Sequence, residues 1–533
     1  MKKLILFNVV LTLIFIIIVQ NYNAMASSIP LTEISTYNEY SNTSAAPSFG
    51  DTIRIGLESR YLNAPQVGLA NSSVLVGIYY SGFLPIANLQ GQNFSVVIDN
   101  NYYLRTGATF NDFTSAQSSA TYGTIIGTTG TLFSHYIGPF LTSYEALQAQ
   151  PLHAPTVLVL PNTNRVTLMD DNSPLLTSVQ PLQFIDGNGG LIYLGNRSYR
   201  GVLETGRHTG QGITPVNIIN IEEYLFSVVP SEMPASWHLE ALKAQAIAAR
   251  SFTYTRRGSH NHLGYELCDT IFSQVYSGTE IEHPNSTKAV IQTQGIMAFY
   301  NGNVILATYF SSSGGFTEYS ENVWIEALPY LRSVASPHEI GALEWERTFT
   351  LSEISLLANS LNIGNVTSIS ISHTPNGRVE SLILNGANGT YYIERESIRT
   401  FFAPSPGGSL PSRNFVMVGG QNATHMRSGA YLRNIATISQ NNLYQSSIYN
   451  FYAIYAYGSI IAVDNPTLIG YYKYNLSYQP IQIKESTSYN IVFSGRGWGH
   501  GVGMSQFGAN SLAQLGYNHI AILQHYYTGV EIR

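Results

Sequence analysis

One segment limits the folds open to this chain more than any other. Residues 230–250 contain Pro230 and Pro234, then an alanine-rich run in which Leu239, Leu242, Ala246 and Ala249 recur every three or four residues. That spacing predicts a helix with one apolar stripe. Ala241 to Ala249 adds high intrinsic helix propensity, and Ser236 is a candidate N-cap. A shorter helix is expected just before it, roughly Ile221 to Val229, with the two prolines breaking the chain between them.

Most of the remaining apolar residues come in a different pattern. From Ile53 to about residue 200, runs such as Ser73–Tyr80, Phe94–Ile98 and Thr156–Leu160 are short and rich in β-branched and aromatic residues, with Gly, Asn and Pro clusters between them. Val216–Asn220 leads into the helical segment. Further strands are expected from Val304 to Phe310 and from Val366 to Leu384. A closing pair of short helices starts near Met504 and Asn518, with Gly516 as the C′ residue between them. The expected class is α+β and strand-rich. A short helix pair surrounds Glu232, and a separate β-rich N-terminal region precedes it. Within that region, Tyr136–Phe140 followed by Ser143–Leu147 resembles a strand and helix of the SPOR domain, which implies glycan binding.

A chain of 533 residues exceeds the size of one hydrophobic core, so several domains are expected. The expected boundaries are a signal peptide at 1–26, a Ser/Thr/Asn-rich linker at 27–50, the β-rich region at 51–198 and a second domain at 199–533. The signal reading rests on Lys2 and Lys3, an apolar run from Leu4 to Val19, and Ala24-Met25-Ala26 as a small-residue cleavage site. Left uncleaved, the same segment would anchor the chain to a membrane; either way the rest lies outside the cytoplasm. With Cys268 the only cysteine, no intramolecular disulfide forms.

Charged residues make up only 11% of the chain, against about 25% in ordinary soluble domains. The net charge is −6 and no basic block occurs, which argues against a nucleic-acid partner. The polar surface must come from amides, hydroxyls and 37 tyrosines, groups suited to neutral polar ligands such as sugars.

Glu232 is the candidate for chemistry. It lies in the proline-bracketed connector just before the long helix, where Met233 and Trp237 would desolvate it and raise its pKa. The positive helix end would oppose that shift. On pattern alone, a glutamate capping the helix is the simpler reading.

The segment Glu222–Arg250, with Ser231-Glu-Met-Pro234 at its centre, resembles the signature of the stage II sporulation protein D (SpoIID/LytB) family. The likeness runs from near Tyr199 to the C-terminus. It includes Ala307–Glu318, Pro329–Val334, Leu410–Phe415 and Gly495–Ala509. The resemblance implies a lytic transglycosylase acting on peptidoglycan glycan strands, with Glu232 as its acid and base. The activity may be directed to strands stripped of their peptides. It equally admits a second role, a non-catalytic wall-binding modifier that enhances a partner amidase. The implied location is the cell wall, outside the cytoplasmic membrane.

In Gly495–Gly503 glycine takes every second position. Strand alternation would then set Arg496, Trp498, His500 and Val502 on one face. One reading is a cleft wall in which Trp498 stacks on sugar while His500 and Gln506 hydrogen-bond it, with Arg496 and Ser312 as further substrate-binding candidates. The other is a tightly packed strand and turn with a core tryptophan. A metal site is a weaker motif. His260, His262 and Cys268 lie close together, and some family members hold zinc here through a histidine and two cysteines. Ser273 stands in place of the second cysteine, and a hydroxyl is a poor zinc ligand. No cofactor and no tightly bound zinc are expected, with His262 and Cys268 as the residual candidates.

Overall fold

The computed structural model describes residues 52–121, 123–153, 155–336, 339, 343–418, 452–456, 459–463 and 490–533. The segments read as signal peptide and linker, 1–50, lie outside these described residues. The fold is α+β and strand-rich, as expected. Two large sheets dominate. A seven-stranded sheet runs in the order Leu267–Cys268, Thr52–Gly56, Val216–Asn220, Val202–Thr205, Leu182–Asp186, Ser73–Tyr79, Phe83–Gln90. Its strands come from both sides of residue 199, so the N-terminal β-rich region and the segment carrying Glu232 share a sheet. They also share a core that includes Ile53, Val74, Phe184, Leu225 and Ile247.

A ten-stranded sheet ends in a βαββαβ unit. It comprises Tyr102–Phe110, helix Phe113–Ser118, Thr124–Thr128, Phe133–Phe140, helix Ser143–Ala149 and Thr156–Val159. Its spatial order is second, third, first, fourth strand, the ferredoxin-like arrangement. The strand and helix expected around Tyr136 and Glu145 are both present. The helix is fixed by a capping box between Thr142 and Glu145. A second core, with Phe349, Ile369, Leu382, Phe402 and Phe493, lies under two three-stranded sheets. Val366–His373 and Val379–Gly386 pair there as a hairpin where one long run was expected.

The central helices depart from expectation in two details. The first runs Ile221–Glu232, through Pro230 rather than stopping before it. A proline deep in a helix forfeits one hydrogen bond. Here the buried face from Tyr224 to Val229 holds the turn, Ser231 Oγ donates to Ser227 O at 2.8 Å, and Met233 N–H closes on Val229 O at 2.9 Å. The second helix spans Leu239–Arg256. It is capped by His238, whose Nδ1 accepts the Glu240 N–H at 3.3 Å, and not by the exposed Ser236. The closing helices, Gln506–Gln514 and His519–Tyr526, begin behind caps Ser505 and Asn518. Gly516, at φ +93°, occupies the expected C′ position between them.

Candidate functional site

Glu232 is therefore the last residue of its helix, not a loop residue. The chain turns extended at Met233 and re-enters helix at Leu239. The C-terminal helices brace this connector. Trp237 packs edge-on against Phe507 at 4.9 Å, and His238 N–H donates to Asn510 Oδ1 at 3.0 Å.

The Glu232 carboxyl receives the Val275 N–H at 3.1 Å and faces the side chains of Tyr309 and Gln506. Burial raises its pKa above the usual carboxylate value; these three donors oppose the shift without cancelling it. Among the described residues no cation pairs with it, and no second carboxylate contributes to the shift. The sign left open by the sequence is thus upward. The carboxyl ends a helix, so the positive end of the long helix is not what governs it.

The residues around Glu232 are held by a buried polar chain. Gln274 Nε2 donates to the Tyr309 hydroxyl at 2.9 Å and to Ala249 O at 3.2 Å. Its Oε1 accepts from Thr253 at 2.7 Å and from Tyr224 at 3.2 Å. With its lone pair engaged by Gln274, the Tyr309 hydroxyl keeps its proton for Glu232. Tyr309–Phe310 in turn pairs in parallel with Met504–Ser505, which sets Gln506 at the first turn of its helix beside the carboxyl. Gln506 is buried, and its Nε2 closes no hydrogen bond of ordinary geometry.

The glycine-rich segment is not a strand. The strand Asn490–Arg496 stops there, and Gly497, Gly499, Gly501 and Gly503 all have φ between +77° and +106°. Four left-handed residues in alternation give successive turns instead of one flat face. Trp498 is half-exposed, its N–H donating to Ser312 O at 2.8 Å and its carbonyl accepting the Ser312 N–H at 3.1 Å. His500 is turned inward between Phe310 and Trp324. Its Nδ1 accepts the Val502 N–H and its Nε2 reaches Tyr309 O, each at 3.1 Å, which leaves no ring nitrogen for a ligand. Burial, with Arg399 and Arg378 nearby, lowers its pKa to about 3, so the ring is neutral and holds Tyr309 in place. Arg496 pairs with Glu344 at 2.9 Å along the strand edge.

Ser312 is buried and donates to Glu339 at 2.7 Å. Glu339 gathers the site's turns. Its carboxylate also accepts the Ser313 N–H at 3.0 Å, the Gly314 N–H at 3.2 Å, Ser336 Oγ at 2.9 Å and Ser505 Oγ at 2.5 Å. Sequence reasoning missed Glu339, Gln274 and Tyr309. The motifs quoted above contain Tyr309, but no periodicity marks the other two.

At the metal motif, the Cys268 N–H donates to Ser273 Oγ at 3.1 Å, and Cys268 Sγ lies 3.1 Å from Thr270 Oγ1. His262 is exposed, its ring parallel to that of His260 with centroids 6.5 Å apart. The donors that converge on Cys268 are His260 and Glu58, their ligand atoms all within 4.8 Å of one another.

Residues 209–300 match the family model described as stage II sporulation protein. The chain is 34% identical to the amidase enhancer of Bacillus subtilis over 58% of its own length and 40% of that protein. It is 30% identical to the stage II sporulation protein D of the same organism, over 60% of this chain and 75% of that one. An uncharacterized protein of Brachyspira hyodysenteriae is 31% identical over 60% of this chain and 67% of its own length. The chain thus spans less than half of the amidase enhancer and about three quarters of the sporulation protein.

Proposed function

The chain belongs to the stage II sporulation protein D family, and from that premise we propose that it works in the bacterial cell wall as a lytic transglycosylase on peptidoglycan glycan strands. The observation that carries this reading is Glu232: one carboxyl, desolvated, with a raised pKa, free of any cation and backed by donors that are themselves fixed.

A glycosidase that uses water needs two carboxyls. A transglycosylase does not. Protonated Glu232 gives its proton to the glycosidic oxygen as the bond to C1 breaks. The resulting carboxylate takes the proton of the sugar's own 6-hydroxyl, whose oxygen closes on C1 to leave a 1,6-anhydro end. The Val275 N–H, the Tyr309 hydroxyl and Gln506 stabilise the carboxylate between the two steps, and the buried setting returns it to the acid form. Trp498, half-exposed, offers a flat face to a sugar. The unpartnered Gln506 amide has a donor to spare. His500, Ser312 and Arg496, bonded within the protein, position these groups. The βαββαβ unit of residues 102–159 extends the proposal to glycan binding, in keeping with its SPOR-like strand and helix.

An amidase-enhancing role is the second reading, favoured by the name of the relative that is 34% identical. In it the same cleft binds glycan and a wall amidase is the partner. Export fits both. No helix among the described residues is long and apolar enough to cross a membrane.

The test incubates wild type and Glu232→Gln with intact and peptide-free peptidoglycan and reads soluble products by mass spectrometry. Anhydro-ended fragments from wild type alone support the transglycosylase. Reducing ends would mean hydrolysis and a second catalytic group. No release by either protein, with both sedimenting with the glycan, transfers the case to the binding role.

A further inference from the structure

We propose that Glu58, His260 and Cys268 form a zinc site, in which a carboxylate from the N-terminal region supplies the ligand that the 260–273 segment lacks. The proposal does not rest on the glycan reading. Topology makes the site. Thr52–Gly56 pairs in parallel with Leu267–Cys268, Gly56 opposite Cys268. Glu58, two residues beyond Gly56, is thereby carried to the sulfur across more than 200 residues of sequence. The loop before Cys268 folds back through the His260 N–H to Glu266 O at 3.2 Å, which returns the imidazole to the same place.

The ligand atoms lie within 4.8 Å of one another. Around tetrahedral zinc, with bonds of about 2.0–2.3 Å, ligand atoms stand about 3.3–3.8 Å apart, so side-chain rotation alone closes the set. The donor chemistry is also zinc's. A thiolate and an imidazole favour it over hard cations, and a thiolate with a carboxylate neutralises its charge. Water completes the fourth position. The outer contacts are of the kind that orient ligands: the Tyr265 hydroxyl donates to Glu58 Oε1, and the Ser259 hydroxyl lies 3.0 Å from His260 Nδ1.

The ion would staple the N-terminal strand to the loop that runs from Cys268 to Val275, the residue whose N–H holds Glu232. The sequence expectation of no tight zinc counted ligands only within that loop and its immediate approach.

The full chain, untagged, is purified from zinc-supplemented medium and assayed for metal by mass spectrometry. It is then stripped with a chelator and titrated with cobalt(II). One zinc per chain and a thiolate-to-cobalt charge-transfer band in the near ultraviolet are expected. Glu58→Gln and Cys268→Ala should each weaken cobalt binding at least ten-fold, and His262→Ala should leave it unchanged. Wild type that binds neither ion stoichiometrically overturns the proposal. So does a cobalt complex without the thiolate band, or Glu58→Gln binding as tightly as wild type. If Cys268→Ala does not fold, the wild-type cobalt spectrum and Glu58→Gln still decide.

Discussion

Glu232 and Glu240 flank the same six-residue connector, and the fold treats them in opposite ways. Both lose some hydration. At Glu232 nothing cationic makes up for it, and the pKa rises. At Glu240 burial is outweighed by Lys243 at 2.8 Å and by His519, whose ring and backbone N–H reach the same oxygen at 2.6 and 2.8 Å, and the pKa falls to about 2. One carboxyl is left able to hold a proton near neutrality; the other is permanently charged and ties the C-terminal helix to the long one. Position near a helix end does not assign a role to a glutamate; the partners supplied from elsewhere in the chain do.

The sharpest way to break this contrast is Glu232→Gln. Strand cleavage should fall about a thousand-fold, within the range for loss of a general acid–base, while the protein stays folded. Its stability should also rise at neutral pH. A carboxyl with a raised folded-state pKa contributes most below its ordinary pKa and loses that contribution as pH climbs through the raised value. The gain over wild type should therefore shrink in acid, as read by calorimetry across pH.

Glu240→Gln should do the reverse. Because solvent screens this cluster, a loss of about 0.5–1 kcal/mol is expected at neutral pH. It should be present above the ordinary carboxylate pKa and vanish as pH falls toward about 2, with cleavage within two-fold of wild type. Parallel pH slopes for the two variants would sink the comparison.

Tyr309→Phe removes a donor that lowers the Glu232 pKa, so the alkaline limb of the cleavage–pH profile should move to higher pH. An unmoved limb would mean that the hydroxyl does not act on the carboxyl. The smallest effect is expected for Lys243→Ala, about 0.2–0.5 kcal/mol in thermal or denaturant unfolding, since His519 keeps its hold on Glu240.

The long helix was legible because its apolar period is unambiguous. Its neighbour was misjudged at Pro230, since a local rule about proline cannot register how much buried surface keeps the turn intact. Alternating glycines resemble a strand in sequence, and only the backbone reveals their left-handed turns. Glu232 was legible through its motif and its direction of shift was not, because Val275, Tyr309 and Gln506 arrive from 43, 77 and 274 residues away. Gln274, Glu339 and Glu58 were hidden for the same reason: each acts through a contact that sequence spacing does not encode.

That long-range construction bears on how the chain reaches its native state. Thr52–Gly56 lies between Val216–Asn220 and Leu267–Cys268 in its sheet, partners that follow it by about 160 and 210 residues. Made early, this strand has both hydrogen-bonding edges open until most of the first half of the chain has been synthesised. Closing loops of that length slows folding and keeps the nascent chain without its central sheet. Folding of this region is thereby deferred past its own synthesis, a delay that suits a polypeptide which must stay threadable before it matures.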